Sequence, residues 1–320
     1  MNTQIKLAII AIVIVIPLAS LAITQTNSPS NNSTNENSKL QVVASATFLY
    51  EFSQNIGKEM IDVTLLVPMG ADPHDWEPTI RDTERLQKAD MIIVNGIGYE
   101  HWLNSLELSD IAGILVDTSN GISTLDSANH DEEKHDDHAK EDGHDDEDNH
   151  NHGVLDPHIW LNPVFAQLQV KNIANALSNS DPTNKNYYQS NAAIYNQKLN
   201  LLDTKIRTEL SGCKTDFITF HDAFSYFSEE YGLTQHTIIS STDSHGDVTP
   251  KTLEHIISLA RELNIKVIFA EENTSTKTSQ VIADEIGGKV LVLSPLEIVS
   301  DETYVEKMTQ NLESLKDALC

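Results

Sequence analysis

Between Leu40 and Val116, short apolar runs alternate with stretches of helical periodicity, and from Phe217 to Leu319 they do so again. No other feature constrains the fold as strongly. A strand apolar along its whole length is buried on both faces, and the helix that follows returns the chain over the sheet, so this alternation predicts parallel sheets covered by helices. In the first half, strands are expected at Val42–Ser45, Val63–Val67, Met91–Asn95 and Ile114–Val116. Helices are expected through Phe52 and Ile56, over Pro78–Lys88 and over Tyr99–Leu106, with Pro78 in a first turn that does not need its N–H. In the second half, strands are expected at Phe217–Phe220, Thr237–Ile239, Lys266–Ala270 and Val290–Leu293. The helices expected there are Ala223–Tyr231, Pro250–Leu263, Ser275–Ile286 and Glu302–Leu319. Between the halves lie two helical segments, Val164–Leu177 and Lys185–Leu210. The second is about 40 Å long at ~1.5 Å per residue, and it reads as a rigid connector rather than part of either core. The fold class is therefore α/β, with a lobe at 40–180, a connecting helix at 181–211 and a second lobe at 212–320.

One segment cannot belong to either core. Asn129 to His152 is almost wholly His, Asp, Glu, Lys and Asn, with next to nothing apolar to bury, and is expected to be a disordered loop of the first lobe. The chain carries a net charge of −27, and eleven acids against two Lys give this tract −9, leaving −18 elsewhere. Such a surface repels nucleic acid and attracts cations. The tract runs directly into Leu155–Pro163, whose Asp-Pro, Ile-Trp-Leu and Asn-Pro have the composition of an ordered loop.

At the other end, Lys6 is followed by an uncharged apolar run to Ile23, close to the ~18–20 residues that span a bilayer. Residues 1–23 are expected to be a signal peptide or membrane anchor, and the Ser/Thr/Asn-rich 24–39 a flexible tether. Asn31, Asn32 and Asn273 lie in N-x-S/T sequons, which also fits an extracytoplasmic chain. Cys213 and Cys320 have no zinc-ribbon spacing, and the sequence leaves open whether they pair.

His74, His158 and His221 each stand in a loop or at a strand end, where ligands of open α/β sheets gather. Facing lobes bring three such imidazoles together, and imidazole is a usual ligand of Zn²⁺. Asp72, Asp75, Asp156 and Asp222 stand beside them, as carboxylates that orient ligating imidazoles do. His101, His236 and His255 show no such setting, while His245 lies in a Ser/Asp/Gly loop of the kind that lines a cleft. The six tract histidines, His130, His135, His138, His144, His150 and His152, read as a weak collector that raises local metal concentration.

The segments GADPHDWEPT, DPHIWLNP and FHDAFSYFSEEYG, in this order, with VIFAEENTS and KVLVLSPLE after them, resemble the metal-binding substrate-binding proteins of ABC transporters, zinc-uptake branch (cluster A-I, or cluster 9). The acidic His tract before DPHIWLNP is similar to that branch too, and the resemblance covers roughly 40–320. It implies two Rossmann-like lobes with parallel sheets, a rigid spanning helix, and one tightly bound metal in the interlobe cleft. It also implies capture of Zn²⁺ by a monomer outside the cytoplasm, without catalysis, and delivery to an ABC transporter permease. His74, His158 and His221 fall on its ligand positions. Three imidazoles favour zinc over manganese, which prefers oxygen. Where the family commonly has Asp-Pro-Leu this chain has Ser294-Pro295-Leu296, which leaves the fourth ligand among water, a residue of the acidic tract, Glu271 and Glu297. Ligands must be deprotonated, so affinity is expected to fall as pH drops through the imidazole range near 6.5. Rival readings are a secreted three-His zinc hydrolase, a carrier of manganese or another divalent metal, and a surface metal buffer or adhesin. No HExxH helix supports the hydrolase.

Overall fold

The structure, a computed structural model, describes residues 39–320 apart from 69–70, 72, 107–110, 126–154, 240–247 and 273–275. The apolar N-terminal run, the acidic tract and the sequon asparagines lie outside the described residues.

Four strands, β1 (Leu40–Ala44), β2 (Ile61–Leu65), β3 (Met91–Val94) and β4 (Ile114–Asp117), form a parallel sheet in the order β2-β1-β3-β4. Val42 stands opposite both Val63 and Met91, and Met91 opposite Ile114. The second sheet repeats that order as β6-β5-β7-β8, from β5 (Asp216–Thr219), β6 (Thr234–Thr237), β7 (Val267–Ala270) and β8 (Lys289–Val292). Ile218 faces both His236 and Ile268, again all in parallel. Strand order reverses between β1 and β3 and between β5 and β7, and a crevice opens beyond the carboxyl ends at each reversal.

The helices are α1 (Thr47–Gly57), α2 (Ile80–Lys88), α3 (Pro163–Ser180), α4 (Lys185–Glu209), α5 (Ser225–Tyr231), α6 (Pro250–Glu262), α7 (Lys277–Ile286) and α8 (Tyr304–Leu319). Asn162 starts α3: its side-chain oxygen accepts from the N–H of Val164 and Phe165, and Pro163 fills the first turn. Pro78, the expected first residue, lies outside α2, which starts two residues later at Ile80. Thr79 caps the helix, in a reciprocal box with Asp82, because its hydroxyl accepts an N–H that proline's ring cannot. Tyr99–Leu106, expected to be helical, holds only a 3-10 turn at His101–Ser105.

The long helix α4 is 25 residues and is not a bare connector. Tyr188, Ala192, Tyr195, Leu199, Leu202 and Ile206 recur every three to four residues and are buried against α1, α3 and α8. They belong to one apolar core that runs from Phe52 and Ile173 through Phe217 and Phe269 to Leu312, so both lobes share it. A stripe that wide cannot be left in water, which is why the helix is embedded rather than free-standing. The far faces of the sheets are closed separately, by Leu86 and Trp102 in the first lobe and Ile256 and Ile282 in the second. Cys213, just after α4, is disulfide-bonded to Cys320 after α8. Among the described residues no helix is long and apolar enough to cross a membrane.

Candidate metal centre

Four side chains from four loops meet at the carboxyl ends of the strands. Donor atoms of His74, His158, His221 and Glu297 all lie within 4.8 Å of one another. His221 follows β5 almost directly, and Glu297 lies in the loop after β8. His74 lies in the connection from β2 to α2, and His158 in the turn before α3. Of the residues singled out from the sequence, these three histidines are brought together and Glu297 joins them. His101 and His255 are exposed, and His236 is 3.0 Å from Asp216 instead. Asp72, His245 and the tract histidines fall outside the described residues.

Two of the imidazoles are held by the same device. Asp156 Oδ1 accepts from the His158 main-chain N–H at 2.9 Å and lies 2.7 Å from its Nδ1. Glu271 Oε1 accepts from the His221 main-chain N–H at 3.1 Å and lies 2.5 Å from its Nδ1. An ionised carboxylate only accepts, so each Nδ1 carries the hydrogen and each Nε2 is left for the centre. The two Nε2 atoms are 3.5 Å apart. Glu271 thus turns its carboxylate to the back of His221. Glu297 faces the centre, with Oε1 2.8 Å from His74 Nε2 and 3.5 Å from His158 Nε2.

The walls are more extensive than the motifs suggested. Trp160 packs beside the His158 ring at 5.1 Å and stacks on Phe48 at 4.4 Å. Its indole donates to Pro295 O at 2.8 Å, tying the His158 turn to the Glu297 loop across the lobes. Tyr226 donates to Asp156 O at 2.8 Å, a second such tie. Asn95, at the end of β3, donates to Pro157 O at 2.9 Å and is itself held by Gln169. Gly96 has φ +87°, a conformation glycine takes without strain, and that bend lets Glu100 accept from the N–H groups of Asn95 and Gly96. Burial raises the Glu100 carboxyl to about 7. A Gln set in the apolar periodicity of α3 and an Asn after an apolar strand were the available signals, and neither belongs to a His motif.

His158 holds its proton tightly. Burial alone lowers the basicity of His158, but Asp156 and Glu297 outweigh it and raise the imidazole to about 10. Burial pushes the Glu297 carboxyl up, yet His74 and His158 bring it well below the usual range. Asp222, beside His221, is raised by burial. The centre therefore offers three ring nitrogens and a carboxylate oxygen. Three nitrogens and one oxygen on four side chains match the tetrahedral preference of Zn²⁺.

Comparison with known proteins follows the same line. The family model for the zinc-uptake complex component A, periplasmic, matches residues 42–318. The high-affinity zinc uptake system protein ZnuA of Bacillus subtilis is 40% identical over 302 residues, covering 92% of this chain and 92% of that protein. A crystal structure of ZnuA superposes with a TM-score of 0.76 at 29% identity, over 88% of this chain and all of that one, 100%. The Zn(II)-bound AdcA of Streptococcus pneumoniae gives 0.72 at 28% identity; it matches 88% of this chain, which spans only 58% of AdcA.

Proposed function

Since the chain belongs to the family of the zinc-uptake complex component A, we propose that His74, His158, His221 and Glu297 are the four ligands of the Zn²⁺ that it captures. The observation that carries this reading is the convergence of their donor atoms within 4.8 Å. The chain is an extracytoplasmic zinc-binding component of an ABC transporter, and it works with a membrane permease.

The finer division of labour is part of the proposal. Residues 1–23 act as export signal or anchor and 24–39 as tether, which their apolar and Ser/Thr/Asn-rich compositions support. The lobes at 40–180 and 212–320, with the helix of 181–211 between them, frame the cleft. The tract histidines collect metal weakly and pass it to the tight site. The protein acts as a monomer, without nucleic acid and without catalysis. Four protein ligands argue against a hydrolase, whose zinc keeps one position open for water. The sole oxygen among the four argues for zinc over manganese.

The test is metal analysis with competition titration against a chromophoric zinc chelator, on the full chain, His158→Ala and a 129–152 deletion. One equivalent of tightly bound zinc is expected in the full chain and the deletion, with a large loss in His158→Ala. Undiminished zinc affinity in His158→Ala refutes the ligand set. Loss of the tight site on deletion refutes the separation of collector from site.

A further inference from the structure

Glu297 is delivered to the centre by an uncommon piece of backbone. Leu296, the residue before it, has φ +63°, in the left-handed region where a branched side chain is strained. Leu296 is nevertheless buried, at 4% exposure. Such outliers persist only where the surroundings over-determine them, and here the surroundings are explicit. The N–H of Leu296 donates to the Ser294 hydroxyl oxygen at 3.2 Å, closing the turn on itself. Ser294 in turn donates to Glu272 Oε2 at 2.9 Å, and the buried Lys307 ammonium reaches the same oxygen at 2.7 Å. Asn311 of α8 braces Ser294 from both sides, its Oδ1 accepting from the main-chain N–H at 2.8 Å and its Nδ2 donating to the carbonyl at 2.7 Å. Thr47 of the first lobe donates to Leu296 O at 2.9 Å.

We propose that Ser294, locked by Glu272 and Lys307, is a positioning residue that fixes the left-handed turn at Leu296 and thereby aims Glu297 at the metal. The proposal rests on Glu297 being a ligand. The Ser294 hydroxyl is engaged on both sides, donating to Glu272 and accepting from the Leu296 N–H, so it works on the backbone rather than on the cation. Adjacent glutamates then divide one task. Glu271 holds His221 from behind, and Glu272 holds the turn that presents Glu297. The ammonium of Lys307 orients the Glu272 carboxylate, and a carboxylate so held is a strong acceptor for the serine. With the hydroxyl removed, Leu296 loses the partner of its N–H and relaxes from φ +63°, which swings the next side chain away from the histidines.

A double-mutant cycle tests this, with Zn²⁺ as the sole added ligand and affinity read by chelator competition on the full chain. Ser294→Ala is expected to weaken zinc binding roughly tenfold to a hundredfold, the usual effect of removing a group that orients a ligand. In a Glu297→Ala background the same change is expected to cost less than about twofold, because there is no carboxylate left to aim. A merely structural serine lowers affinity equally in both backgrounds, and that result overturns the proposal, as does an unchanged affinity in Ser294→Ala alone. Glu272→Ala, which removes the acceptor of the hydroxyl, runs through the same cycle with the same two expectations. If Glu297→Ala leaves zinc affinity untouched, the ligand set falls and this inference with it. If Glu297→Ala weakens binding but Ser294→Ala adds its full effect on top, only this inference falls.

Discussion

On the proposed ligand set, zinc entering this centre displaces a proton from His158, and the cost of that displacement can be worked out. Before metal arrives, Asp156 and Glu297 hold the imidazole at about 10. At pH 8 about 99% of such side chains are protonated, and displacing the proton lowers the apparent affinity ~100-fold, or about 2.7 kcal/mol. The zinc Kd should therefore fall about tenfold for each pH unit between 7 and 9. Calorimetric titration in two buffers of different ionisation enthalpy should count close to one proton released at pH 8. Ordinary imidazoles near 6.5 would be ~3% protonated there and would release almost none, so a count near zero at pH 8 refutes the reasoning. The sequence placed the sensitive window near 6.5; the buried carboxylates move it upward. Asp156→Asn removes the chief raising partner and should reduce the proton count. The sign for stability follows from the same shift. A folded pKa above the unfolded 6.5 gives a contribution that is complete below 6.5 and is lost as pH rises through about 10. The metal-free protein should therefore melt at progressively lower temperature from pH 7 to 10.

Two further outcomes test the scaffold. Leu199 is fully buried at 0% exposure in the middle of α4, so Leu199→Ala should cost ~2–5 kcal/mol in denaturant unfolding; a cost below about 0.5 kcal/mol would return α4 to the status of a spacer. The Cys213–Cys320 bond closes a loop across a sequence separation of 107, so Cys213→Ser should lower unfolding stability by about 4.7 kcal/mol on the loop-entropy account, with zinc affinity unchanged.

The parallel sheets and the three histidines were readable because each rests on local information. Buried strands show as apolar runs, and a histidine beside Asp-Pro or at a strand end shows its own setting. What was not readable depends on distant residues. Among the described residues, Thr234–Thr237 is a polar edge strand paired only with β5. The apolar Ile238 and Ile239 drew the expected strand to themselves, whereas they enter the core just beyond it. The choice between Glu271 and Glu297 could not be made from composition, since both are Glu after a strand. It turns on Glu271 reaching the back of His221 and on the backbone of Leu296. Placing α4 outside both cores was an error of scale. Its stripe was visible, but the helices it packs on, α1 and α8, lie far from it in sequence. The disulfide partners are likewise brought together only by α4 and α8 lying side by side.

All four side chains of the centre are carried by loops, and none by a strand. The sheets and the core under α4 are complete without them. In a zinc finger the metal is a structural member, and losing it dissolves the fold. Here the cation is freight in a hold whose bulkheads are already standing.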